Sequence, residues 1–314
     1  MIWGFAGPWY GEFLRDDDGK LPKTDFERLE RQLKFLVRYG LKCTGVSLDT
    51  LVKLTDSERE RVTQFLADHD LFFVLHVGYN YVSADSDTVK FETERILNLL
   101  SRYAPLVRSQ LVVTTAHAGH RFDRKIPLER KLERLIFVLT PLAQGCRELG
   151  LSFGIENHCD FYISDLVAVC QAVPHLGILL DTGNTYVIGE KPLPAFKEAA
   201  PYVVGTHFKD HFVRPRPDLF PLCLEVDGAP LGEGDVPLRE CYNILKQCSP
   251  NPDGLVMLIE MVAPKGMNPL NCWKKSLEFV RELEVMGDAS ETFEGCSRGM
   301  QDGSSACKSN GSTP

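Results

Sequence analysis

The chain has 314 residues, 44% of them hydrophobic and 25% charged, which is the composition of an ordinary globular protein with room for one large domain. Its formal net charge of −8 argues against a general nucleic-acid-binding surface, which would be basic. No apolar stretch reaches the roughly 20 residues needed to cross a membrane, and the N-terminus lacks the basic-then-apolar pattern of a secretory signal, so a cytoplasmic protein is expected.

Strand-like and helix-like segments alternate along the chain. Ile2–Gly7 reads as the first strand, with Trp3 inside it and Trp9, Tyr10 and Phe13 around its end. Thr24-x-x-Glu27 is a capping-box pattern, followed by Phe26, Leu29, Leu33 and Leu36 at helical spacing and by Gly40 as a stop. Cys43–Leu48 is a second strand, and Thr55-x-x-Glu58 opens another helix. Strands at Phe72–Val77 and Leu111–Ala116 place His76 and His117 at their ends. Pro127 begins a helix with Leu128, Leu132, Leu135, Ile136 and Leu139 on one face; Pro141 is expected to kink it and Gly150 lies just past its end. Four apolar runs then each finish on a polar, chemically versatile residue: Ser152–Glu156, Leu176–Asp181, Val203–His207 and Leu255–Glu260. Between them, Ser164 is placed to cap a helix, and a long connection runs from His211 to about Asp235, with Pro215, Pro217, Pro221, Pro230 and Leu231-Gly-Glu-Gly-Asp235. A connection this long is expected to cover a functional site. Asn268-Pro269 opens the last helix, which carries Trp273, Leu277, Phe279 and Val280.

Eight strands separated by helices predict an α/β chain folded as a single (β/α)8 TIM barrel over residues 1–285. Serine, glycine, aspartate and asparagine dominate beyond about Gly287, so residues 286–314 are expected to form a disordered tail. The ten cysteines contain no Cys-x-x-Cys pair, and most read as reduced, structural thiols.

Glu156, Asp181, His207 and Glu260 carry the functional signal. A charge at the end of a buried strand is too costly to be there for packing, and four at matching ends would meet at one mouth of the barrel. Three carboxylates and an imidazole suit a hard or borderline divalent ion: Mn²⁺, Mg²⁺ or Co²⁺ best, Zn²⁺ next. Such an ion would chelate a carbonyl and a neighbouring hydroxyl, acidify the C–H between them and stabilise the resulting enediolate. Glu156 and Glu260, on different strands, are the candidate acid/base pair for moving that proton. This chemistry epimerises a keto-sugar, or isomerises it when the proton returns to the adjacent carbon. Lys209, directly after the candidate histidine, adds a fixed charge near the developing enolate, or else pairs with Asp210 or Glu233. As a third catalytic candidate it opens a lyase alternative: decarboxylation of a 3-oxo sugar acid, or elimination from a keto-glycoside or inosose. A non-catalytic sugar-binding barrel is a further alternative, although binding alone needs no second base.

The chain resembles the xylose-isomerase-like TIM barrels, which include sugar isomerases, ketose 3-epimerases, inosose dehydratases and endonuclease IV-type enzymes. The resemblance rests on Gly154-Ile-Glu-Asn-His158, Leu180-Asp-Thr-Gly-Asn184, Thr206-His-Phe-Lys-Asp210, Leu231-Gly-Glu-Gly-Asp235 and Leu258-Ile-Glu260. It implies metal ligation by Glu156, Asp181, His207 and Glu260, acid/base roles for the two glutamates, a small carbohydrate substrate, no membrane partner and a homo-oligomer. The chain departs from the ketose 3-epimerases at Asn184, where they carry a histidine. It matches only His76 and His117 of the extra histidines of the AP endonucleases, so no nucleic acid is expected as substrate. His76, His117, Asn184, Trp9 and Glu233 make up the candidate substrate-binding set.

Overall fold

Local signals in the sequence set many of the element ends. The computed structural model describes residues 1–7, 10–78, 81–82, 84–219 and 221–287; Trp9 and most of the expected tail lie outside them. Strand β1 spans Ile2–Phe5. Helix α1 (Asp25–Tyr39) starts at Thr24, whose hydroxyl accepts from the Glu27 amide, and stops at Gly40, which sits at φ 71°. That left-handed conformation is open to glycine without strain. Strand β2 (Cys43–Ser47) and helix α2 (Leu48–Lys53) lead to α3 (Asp56–Asp68), which opens on a complete capping box between Thr55 and Glu58. Then follow β3 (Phe72–His76), α4 (Ser86–Tyr103) and β4 (Leu111–Thr115). Helix α5 (Leu128–Glu148) runs through Pro141 as one element. After β5 (Ser152–Glu156), helix α6 (Ile163–Ala172) begins at Tyr162, whose amide donates to Asp165; Ser164 therefore lies inside the helix and does not cap it. Strand β6 (Leu176–Asp181), helices α7 (Asn184–Val187) and α8 (Pro192–Ala199) and strand β7 (Val203–Phe208) come next.

The long connection contains structure the sequence did not signal. Strands β8 (Asp210–Pro215) and β9 (Leu224–Ala229) pair antiparallel as a separate hairpin. The chain then completes α9 (Leu238–Cys248), β10 (Val256–Ile259) and α10 (Pro269–Gly287).

The eight remaining strands close in the order β1-β10-β7-β6-β5-β4-β3-β2, all neighbours parallel. This is the expected (β/α)8 barrel. Alternation along each strand sends one set of side chains inward, where Cys43, Val74, Leu111, Val113, Leu179 and Leu258 form a small cluster. The other set meets the helices in a larger core. Phe5, Phe13, Phe35 and Trp273 pack there ring against ring at 4.8–5.8 Å, and Trp3 packs against Phe208 and Tyr242. Trp3 and Phe13 are thus core residues, and Tyr10 is fixed by accepting from the Ala263 amide at 2.7 Å. Seven cysteines among the described residues are free thiols, while Cys248 is disulfide-bonded. Among the described residues no helix is long and apolar enough to cross a membrane.

Candidate metal centre

Parallel closure puts the C-terminal ends of β5, β6, β7 and β10, four consecutive strands of the barrel, side by side. Glu156 and Asp181 close β5 and β6, His207 is the penultimate residue of β7, and Glu260 directly follows β10. One ligand atom from each of these four residues lies within 4.8 Å of all the others. All four are buried, Asp181 completely.

Three buried carboxylates need compensation, and two cations supply it. His207 Nδ1 lies 2.9 Å from Glu156 Oε1 and 3.2 Å from Glu260 Oε2. Lys209 Nζ donates to Asp181 Oδ2 at 2.7 Å and lies 3.1 Å from Glu260 Oε1. Lys209 is therefore the counter-ion of the carboxylate cluster and pairs with neither Asp210 nor Glu233. Neighbouring groups fix the carboxylates further. Thr115 Oγ1 donates to Glu156 Oε2 at 2.7 Å, and Asp181 Oδ1 accepts from the amides of Gly183 and Asn184. The buried Asn157 side chain clips the Asp181 backbone at both its N–H and its C=O.

The two glutamates differ in environment. Burial raises the proton affinity of both. At Glu156 the His207 charge and the hydrogen bonds from His207 and Thr115 more than reverse this and hold the carboxyl well below the usual range. At Glu260 burial prevails over Lys209, and the pKa is raised. Burial also works against the imidazolium of His207, but Glu156 foremost, with Glu260 and Asp181, pushes that group up to about 9.

The donor set fits a divalent ion. Three hard oxygen donors and one imidazole match a manganese- or magnesium-type site. His207 Nε2 and Glu260 Oε2 are buried without a hydrogen-bond partner. The protonated imidazole between two glutamates also occupies the charge position that a cation would take, so ion and proton should compete there.

A cavity of about 520 Å³ opens above the cluster. Glu156, His207, Lys209 and Glu260 form its floor, and His76, His117, His158, Thr115, Ser47 and Arg28 are among its walls. His76 and His117 are thus brought to the site as the sequence suggested. Burial, with the His207 charge beside it, lowers the His76 pKa to about 4, so that imidazole stays neutral. Its ring stacks on His207 at 5.9 Å. Asn184 is buried beside the cluster, 3.5 Å from Lys209 Nζ, and its amide donates to Asn157 O. Glu233 is not brought to the cavity: it faces outward and pairs with Lys275 at 2.7 Å. Asp210 supplies the reason. Its buried carboxylate accepts from the amides of Gly232, Gly234, Val236 and its neighbour His211. A Cβ at Gly234 would collide with that carboxylate. The turn is held by its backbone, and the glutamate between the two glycines points away. Thr115 and Arg28 carried no role in the sequence reading, and Asn157 stood in the Gly154–His158 motif without one. Asn157 adjoins a candidate ligand, which was the only available signal; Arg28 lies on an outer helix and carried none.

The family model of the xylose isomerase-like TIM barrel matches residues 33–283. The chain belongs to this family. No curated protein matches it significantly. Among solved structures it is similar to a xylose isomerase-like TIM barrel protein from Mycobacterium smegmatis in complex with magnesium, at 18% identity and TM-score 0.63, covering 91% of this chain and 97% of that one. It is similar to D-psicose 3-epimerase with D-tagatose from Clostridium cellulolyticum H10, at 15% identity and TM-score 0.66, covering 91% and 99%. It is also similar to 3-keto-D-glucoside 4-epimerase from E. coli, at 15% identity and TM-score 0.63, covering 90% and 99%. Likeness at these identities establishes the shared fold.

Proposed function

We propose that this protein is a divalent-metal-dependent isomerase or epimerase of a small keto-sugar or sugar derivative, working through an enediolate. The observation that carries the reading is the convergence of Glu156, Asp181, His207 and Glu260, with Glu156, His207 and Glu260 on the floor of a cavity sized for a small ligand and Asp181 fully buried beside them. These four residues would hold the ion, manganese first and magnesium, cobalt or zinc after it. When bound, the ion polarises the substrate's carbonyl and makes the neighbouring C–H more acidic.

The chain's own residues account for the proton. Glu156 and Glu260 come from the outer two of the four strands, with Asp181 and His207 between them. That placement lets them address a substrate carbon from two sides. Their environments are already split: one carboxylate is held ionised, the other pushed toward its protonated form. Glu156 and Glu260 are the candidate base and acid, whichever of them acts first. Proton return to the opposite face of the same carbon gives an epimer, and return to the adjacent carbon gives an aldose–ketose pair. His76, held neutral, can donate or accept a hydrogen bond to a sugar hydroxyl, and His117 and His158 line the same wall. Asn184 acts through Lys209 and Asn157.

Lys209 favours one second reading. It lines the cavity as a buried cation, and a substrate carboxylate drawn to it would direct the reaction toward decarboxylation. Incubation of manganese-loaded protein with a panel of keto-sugars and 3-oxo sugar acids separates the two. A new epimer or isomer supports the first reading, CO₂ release from the acids supports the second, and no turnover of any member with retained sugar binding would leave a binding barrel.

A further inference from the structure

A second cavity, of about 460 Å³, lies at the same mouth of the barrel and shares no lining residue with the first. The loop between β4 and α5, the first turn of α5 and Tyr162 enclose it. Three features of this cavity are unexplained by packing. Lys131 lines it at 4% exposure, and among the described residues its ammonium makes no hydrogen bond or ion pair, with only the longer-range charge of Asp123 facing it. Lysine is almost never this buried without a partner. The 21-residue helix α5 opens onto the cavity without a cap, because Pro127 at the N-cap position offers no side-chain acceptor. Its first-turn amides therefore lack the partner that a helix start requires, and they carry the positive end of the helix dipole. Arg121 is laid across the Tyr162 ring at 4.5 Å and tied through Nε to Asp165 at 3.3 Å, which holds the guanidinium at the wall of the cavity. Arg124 lines it as well. Of the two acids present, Asp123 is engaged by Lys125 and feels the Lys131 charge at longer range, and Glu129 is exposed.

We propose that this cavity binds a phosphate group, free or carried by a small phosphorylated molecule, between Lys131, Arg121 and the open amides of α5. An ammonium that reaches the cavity, a pre-oriented guanidinium and an uncapped helix start are complementary to a compact oxyanion. The site is separate from the metal centre and stands whether or not the proposed reaction is correct.

The test is a titration of ¹⁵N-labelled protein with inorganic phosphate, and in parallel with glucose 6-phosphate and with glucose as neutral control. The amides of Leu128, Glu129 and Arg130 are followed. Saturable shifts with both phosphates and none with glucose are expected. Tighter binding of the ester would identify a phosphorylated molecule as the ligand, and equal affinity would identify free phosphate. Lys131→Met should weaken binding about tenfold or more, as loss of a charge-assisted hydrogen bond does. Arg124→Ala, on the surface, gives a second variant with less risk to folding and should weaken binding in the same direction. Absence of saturable shifts up to about 10 mM phosphate, weaker than the millimolar end of specific binding, would overturn the proposal. So would wild-type affinity in both variants.

Discussion

Replacing Lys209 by methionine removes the counter-ion of the carboxylate cluster while keeping most of its volume. Lys209 Nζ lies 2.7 Å from Asp181 Oδ2 and 3.1 Å from Glu260 Oε1. At an effective dielectric of about 20, these contacts correspond to about 6 and about 5 kcal/mol of Coulomb attraction. Several kcal/mol of that offsets the desolvation of the ammonium, and breaking a buried pair by removing one partner typically costs about 3–5 kcal/mol. The metal-free variant should therefore be less stable by about 3–5 kcal/mol at pH 7, which lowers Tm by roughly 5–8 °C for a chain of this size. A divalent ion reverses the order of effects. With the lysine gone, its repulsion of the ion is gone too, and Mn²⁺ should bind about tenfold more tightly or better, a gain of at least about 1.4 kcal/mol. Urea unfolding of chelator-treated protein, with and without saturating Mn²⁺, measures both. Manganese should stabilise the variant more than the wild type. A metal-free variant within about 1 kcal/mol of wild type, with unchanged manganese affinity, would refute the assignment of Lys209 as counter-ion.

Thr115→Val keeps the shape of the side chain but removes the hydroxyl that donates to Glu156 Oε2 at 2.7 Å; Mn²⁺ affinity by calorimetry should fall about 10-fold or more, the usual effect of losing a group that orients a ligand. His76 has a depressed pKa in the folded protein, so its neutral form contributes stability above about pH 6.5, and that contribution is lost as pH falls toward about 4. Between pH 7 and 5 this amounts to about 2 kcal/mol, so metal-free His76→Gln should lose correspondingly less stability than wild type over that interval in urea unfolding. Mn²⁺ binding to wild-type protein should release a proton near pH 7, because the His207 imidazolium persists up to about 9; calorimetry in buffers of different ionisation enthalpy reads that release, and a buffer-independent heat would contradict it.

The barrel and its four candidate ligands were legible in the sequence for a physical reason. Each ligand ends an apolar run, and an acid or histidine in that position has no packing role. The Thr24 cap, the capping box at Thr55 and the glycine stop at Gly40 marked helix ends through purely local hydrogen bonding. The β8–β9 hairpin was hidden because Pro215 ends β8, Pro217 and Pro221 crowd the connection, and the paired strands grade from buried at one end to exposed at the other, so no apolar alternation betrays it. The partner of Lys209 was hidden for a different reason. Asp181 is 28 residues away in sequence, and only parallel closure of β6 and β7 brings the two together. Glu233 illustrates the converse error: its motif was informative, but the informative atoms are the glycine amides that Asp210 collects, and the charged side chain between them serves the surface.

The central claim is that Glu156 and Glu260 move a proton on a substrate carbon. Once a keto-sugar substrate is in hand, the decisive measurement is deuterium incorporation from D₂O into product, by mass spectrometry, for wild type, Glu156→Gln and Glu260→Gln, each loaded with Mn²⁺ and shown to bind both metal and sugar. Wild type should place deuterium at the carbon beside the carbonyl, and each variant should lose turnover by about 10²-fold or more, the scale of general acid–base catalysis. Turnover at the wild-type rate in either variant, with metal and sugar still bound, would contradict the account.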